Sequence, residues 1–123
     1  MGINSTEVSY GFGQLGSIYT TNGQNAISPP TGKVFVAITM LADTVFDSTG
    51  GLVADTTNTR AGLEYIGTEV AAHNLADGSE TAVSGSEGLV VDSVTFPKGV
   101  TIYGRWTEID VSSGGGIIAY IGD

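Results

Sequence analysis

One segment constrains the fold more than any other. Residues Lys33 to Leu41 read Lys-Val-Phe-Val-Ala-Ile-Thr-Met-Leu. The run is rich in β-branched and aromatic residues, which suit a pleated strand. It is apolar on both faces, whereas a half-exposed strand alternates apolar with polar. A strand of this kind must be covered on both sides, so the rest of the chain has to supply two covering surfaces.

The remaining sequence reads as further short strands. No window shows the period of an amphipathic helix, and the 19 glycines punctuate the chain. Ser17 to Thr21 and Gln24 to Ile27 flank Asn22-Gly23, a type I′ pair, and so predict a hairpin. Pro29-Pro30 ends that unit, because proline cannot donate to a ladder. Thr44-Val45-Phe46 continues the central strand or starts the next. Leu52 to Gly62 is polar and irregular and reads as a loop, and Leu63 to Glu69 as a short strand. Ala71 to Leu75 and Ser79 to Val83 flank Asp77-Gly78, a second hairpin signal. Ser84 to Gly88 reads as a polar loop, and a strand runs from Leu89 towards Phe96. After the Pro97-Lys98-Gly99 turn, Val100 to Ile109 is a long strand. Ser112 to Gly116 is a turn, and Ile117 to Ile121 is a closing strand paired with the one before it. About eight strands in 123 residues predict a single all-β domain, a β-sandwich or jelly roll. Residues 17–123 form that domain, and residues 1–16 an extended N-terminal arm.

The arm has its own logic. Tyr10-Gly11-Phe12-Gly13-Gln14-Leu15-Gly16 interleaves glycine with large apolar groups. Glycine permits close backbone approach, and Tyr10, Phe12 and Leu15 are anchors that are costly to leave in water. They are candidate interface residues.

Charge excludes several functions. The formal net charge is −9, and the only cations are Lys33, Lys98, Arg60 and Arg105. Four scattered cations cannot neutralise a row of phosphates, so neither nucleic acid nor an anionic membrane is an expected partner. The chain has no cysteine, which removes thiolate catalysis and Cys-ligated zinc. Met1 to Tyr10 has neither a basic region nor an apolar core, so no secretory leader is expected. No apolar run is long enough for a transmembrane helix.

The search for reactive groups points away from an enzyme, and no cofactor is expected. His73 is the only histidine, with no base–carboxylate partner visible in its neighbourhood. Ser84-Gly85-Ser86-Glu87-Gly88 lacks the first glycine of a nucleophile elbow around Ser86. Asp43 with Asp47, and Glu108 with Asp110, are carboxylate pairs. They read as solvated edge charges, or more weakly as a divalent-cation site at a subunit boundary. Arg105 and Trp106 are adjacent on a strand and so point to opposite faces. Trp106 belongs in the core. Arg105 is then either solvated or placed against an acid of a neighbouring subunit, which makes it the fourth candidate interface residue.

Two segments, Pro29-Pro-Thr-Gly-Lys-Val-Phe-Val-Ala-Ile-Thr-Met40 and Phe96-Pro-Lys-Gly-Val-Thr-Ile-Tyr-Gly-Arg-Trp-Thr107 with Ile117-Ile-Ala-Tyr-Ile-Gly122, resemble small virion proteins of tailed bacteriophages, particularly phages of marine bacteria. The resemblance implies a structural protein of the virion, made in the host cytoplasm. More specifically it implies a capsid decoration or cement protein, commonly trimeric, bound to the major capsid protein or other virion proteins. A tail, neck or fibre-base subunit is the alternative. A sugar-binding module using Trp106, Tyr65 or Tyr103 is a further one.

Overall fold

The computed structural model describes residues 15–55, 65–68 and 89–123. Among them there is no helix, and every strand pairing is antiparallel. The strands are β1 (Ser17–Thr20), β2 (Val34–Met40), β3 (Val45–Phe46), β4 (Leu52–Ala54), β5 (Thr101–Ile109), β6 (Val111–Ser113) and β7 (Ile117–Gly122). A five-stranded sheet has the order β1-β7-β2-β5-β4, and β3 pairs with β6 in a second, two-stranded sheet. The architecture is the expected all-β, sandwich-like domain.

The doubly apolar segment is the central strand. β2 lies between β7 and β5, and each of its seven residues is buried or half-buried. Its inner face carries Phe35, Ile38 and Met40. These pack with Phe46, Leu52, Trp106, Ile109, Val111, Ile117, Ala119 and Ile121 in one core cluster. Phe35 and Trp106 are register partners, and neither is exposed to solvent. The ladder is irregular beside them, between Phe35 and Ala37, on both sides of β2. On its other side β5 pairs through its second half with β4, Leu52 opposite Ile109, and Trp106 is in register with both Phe35 and Ala54. Gly104 sits in the irregular stretch, where a Cβ would lie 2.7 Å from the indole of Trp106. Only a residue without a side chain lets the large ring fold back over its own strand.

The pairing differs from the sequence reading in specific places. Asn22-Gly23 does form a turn, with Gly23 at φ 85°, but the flanking segments do not pair with each other. β1 pairs with β7, whose Ile117-Ile118-Ala119 offers more apolar surface than the exposed Gln24-Asn25-Ala26. Ile27 instead bridges Ile109 at the far end of β5, with N–H···O distances of 2.8 and 3.0 Å. The closing strand is not paired with β5, because β2 stands between them. The intervening residues are not only a turn, since Val111–Ser113 is β6. Leu52 to Ala54 is a strand rather than loop, completing the sheet beside β5. Tyr65 to Thr68 is not a strand, and neither is Leu89 to Phe96, where Phe96 makes a single bridge to Thr44. The second predicted hairpin, around Asp77-Gly78, and the loop Ser84 to Gly88 lie outside the described residues, as do residues 1–14 of the predicted arm.

Trp106 also carries a polar duty. Its indole Nε1 donates to the carbonyl of Ile66 at 2.7 Å. Trp106→Phe keeps most of the packing but leaves that carbonyl without its donor. The expected cost is about 1–3 kcal/mol, read as a lower urea midpoint at unchanged m-value.

Candidate interaction surface

The outward side of the five-stranded sheet follows from register and strand alternation. One row across the sheet is Tyr19, Ile118, Thr39 and Thr101. The next is Ser17, Tyr120, Ala37 and Tyr103. Thr39 and Thr101 share a hydroxyl hydrogen bond of 2.9 Å, as side chains on one face must to meet. Tyr19 and Tyr103 are 61% and 63% exposed, while Ala37, flanked in register by Tyr120 and Tyr103, is 2% exposed. The face is therefore aromatic and weakly charged. Tyrosine combines a large apolar ring with a hydroxyl handle, the composition favoured in protein contacts.

Arg105 lies beyond Tyr103 on the same strand. Its Nε is 3.4 Å from Oδ2 of Asp55, and its Nη1 donates to the carbonyl of Asp123 at 2.6 Å. Asp55 is almost fully buried. An isolated buried carboxylate is strongly unfavourable, so the guanidinium offsets a charge of its own chain. Beside it, Lys33 pairs with the carboxylate of Asp123. Of the other candidate interface residues, Leu15 is exposed, and Tyr10 and Phe12 lie outside the described residues.

The two carboxylate pairs are regrouped. Asp43 accepts a hydrogen bond from the backbone N–H of Lys98 at 2.9 Å. Asp47, Glu108 and Asp110 come together where the β3–β4 loop is strapped to the end of β5. The straps are Asp47 N–H to Asp110 O at 3.0 Å and Asp110 N–H to Gly51 O at 2.8 Å. Among the described residues, no group of three or more acidic or histidine side chains is arranged to hold a metal ion. His73 lies outside the described residues. Trp106 is wholly buried and offers no face for stacking a sugar, whereas Tyr103 is exposed.

The two sheet edges are treated differently, and sequence reasoning missed this. On β4, Leu52 bonds outward to Thr68, whose N–H donates to the Leu52 carbonyl at 2.9 Å and whose hydroxyl accepts from the Leu52 N–H at 3.0 Å. That edge is covered. On β1, the N–H of Ile121 bonds to the carbonyl of Gly16. Because antiparallel ladders alternate, Gly16, Ile18 and Thr20 face β7, and the backbone groups of Ser17 and Tyr19 face away from it. Among the described residues none bonds to them. Beside this edge opens a cleft of about 500 Å³ lined by Tyr19, Thr20, Thr21, Gln24, Asn25, Ala26 and Ile27. The sequence reads Ser17 to Thr21 as one arm of a hairpin, and an edge shows itself only once pairing is known.

Burial raises the Asp110 carboxyl above its ordinary value, followed by its hydrogen bond to Asp47 and repulsion from Asp47 and Glu108. The fold thus penalises the ionised form. This group's contribution to stability is full below its unfolded pKa and is lost as pH rises through the folded one. Asp110→Asn, which mimics the protonated carboxyl, is expected to raise stability at pH 7 by ~0.2–1 kcal/mol, the scale of exposed charge pairs. Paired thermal melts at neutral and acidic pH check this, because the gain must vanish in acid. No family model, curated protein or solved structure matches this chain.

Proposed function

We propose that this chain is a structural subunit of a tailed-phage virion, a capsid decoration or cement protein that works by contact rather than by chemistry. The observation that carries the reading is the outward tyrosine face of the five-stranded sheet. Tyr19 and Tyr103 stand exposed on a rigid surface whose strands are held by a single core. Rigid aromatic anchors lose little conformational entropy on docking and dominate the energetics of protein contacts. The resemblance of residues 29–40, 96–107 and 117–122 to small virion proteins supplies the setting. The acidic, lysine-poor composition supports a protein partner over nucleic acid. A homotrimer seated on the major capsid protein fits this mode of action, since repeated weak contacts add up when copies are linked.

A tail, neck or fibre-base subunit has the same physics, and copy number separates the two. Quantitative mass spectrometry of purified particles is expected to find the chain in amounts comparable with the major capsid protein. A few copies per particle would move the assignment to the neck or tail. The exposed Tyr103 also favours a glycan-binding reading, which a glycan array without hits would remove.

The contact itself has a direct test. Tyr19→Ser and Tyr103→Ser are each expected to cost about 2 kcal/mol of particle binding, roughly thirtyfold in affinity. The melting temperature of Tyr19→Ser should stay close to the parent's. Unchanged binding by the double variant would sink the proposal.

A further inference from the structure

The two edges of the five-stranded sheet differ, and the β1 edge, which no described residue pairs with, matches a segment of this same chain. At β1 the backbone groups of Ser17 and Tyr19 face outward, and no described residue bonds to them. An unpaired edge of this kind is a template for another extended chain. The cleft beside it runs between β1 and the Gln24–Ile27 segment. Of its lining, Ile27 is half-buried and packed against the core cluster, and Tyr19 and Ala26 add apolar surface. A strand entering here would meet backbone hydrogen-bonding groups along one side and apolar surface beneath.

The segment Glu7 to Leu15 has the pattern for such a strand. Read with the two-residue period of extended chain, Val8, Tyr10 and Phe12 fall on one face. Ser9, Gly11 and Gly13 fall on the other, which is almost bare. One face offers apolar bulk to the cleft, and the other lets neighbouring backbone approach closely. The segment contains no proline, so each of its residues keeps an N–H for the ladder. Its one charged side chain, Glu7, stands at its start. Fourteen residues precede Leu15, more than the short stretch that a four-residue edge strand requires.

We infer that the β1 edge and its cleft receive the Glu7–Leu15 segment of a second copy of this chain, adding a strand to the sheet. This rests on the reading of the protein as a shell subunit and names how its copies join. The exchange satisfies the outward groups of Ser17 and Tyr19 and buries Tyr10 and Phe12 in the same step. It is a heterologous contact, in which arm meets edge, the kind that generates a ring such as a trimer when the rotation between copies closes.

The chain has no cysteine, so disulfide trapping is free of background. Full-length Val8→Cys, on the face turned to the cleft, and full-length Gln24→Cys, in its lining, are mixed and oxidised. The expected product is a mixed disulfide dimer in excess of either homodimer. Ser17→Pro removes an outward N–H without touching the β7 ladder. It should weaken self-association, followed by light scattering, roughly tenfold while the melting temperature holds. If the double variant Val8→Cys/Gln24→Cys closes within one chain instead, the arm occupies its own cleft and the inference is overturned. If no trap forms while the protein still oligomerises or binds particles, the inference fails and the shell-subunit reading stands. A monomer that neither traps nor binds particles overturns both.

Discussion

The structure depends on the meeting of Phe35 and Trp106 across the β2–β5 ladder. These are register partners on the central strand and its neighbour, and both are wholly removed from water. Burying two large aromatic side chains at one place contributes several kcal/mol, of the order of the whole stability of a small domain. The local irregularity between Phe35 and Ala37 follows from fitting them, since a bulge bends a strand and increases its twist. At Trp106 β5 is in register with β2 on one side and with β4 on the other, and beyond Ile109 the chain turns through Asp110 into β6. The second sheet and the strapped carboxylates are consequences of where that turn sends the chain.

The same packing explains which side chains of the sheet turn outward. The core cluster draws Phe35, Ile38, Met40, Ile117, Ala119 and Ile121 to the inner side. Strand alternation then leaves Tyr19, Tyr103, Tyr120 and Ile118 outward. Their number is unusual for a surface that meets only water, because charged residues are the common choice there. Arg105 is the cation of this face, and it is held by Asp55 and the Asp123 carbonyl. Its charge is thus spent within the chain, which leaves aromatic area rather than ion pairing as the surface's main offering.

Much of this was legible in the sequence, and the failures have a common cause. The β2 segment revealed its central position through apolarity on both faces. Trp106 was legible as core and Arg105 as its opposite, because neighbours on a strand point apart. The turns at Asn22-Gly23 and Pro97-Lys98-Gly99 were visible from their residue types. Partner choice was not. Local turn chemistry pairs Ser17 to Thr21 with Gln24 to Ile27, whereas β1 pairs with Ile117 to Tyr120, about a hundred residues away. Turn chemistry is local, but pairing is decided by which apolar surfaces most need cover. Leu52 to Ala54 failed for the same reason, since three residues carry almost no pattern and take strand form only because β5 presents a ladder. Of the candidate site, Glu108 and Asp110 were foreseen as neighbours, but Asp47 joins them only through a loop whose path no local signal encodes.

Edges are where the fold and the proposed role meet. A sheet that does not close must do something with its two outer strands. At β4 the chain covers its own edge with Gly67 and Thr68, using both the N–H and the carbonyl of Leu52. At β1 no described residue does the equivalent, although Tyr19 stands exposed beside it. An open edge is an aggregation hazard in a protein meant to stay alone. In a subunit meant to join copies of itself, it is a place where backbone hydrogen bonds give affinity and flanking side chains give selectivity. The net charge of −9 acts against indiscriminate stacking, because like-charged copies repel at long range. Such repulsion is overcome only where a particular segment buries apolar surface and satisfies the edge in a single step. Selective assembly from an acidic, glycine-rich chain requires that combination: a surface that discourages most contacts and one edge that rewards a specific one.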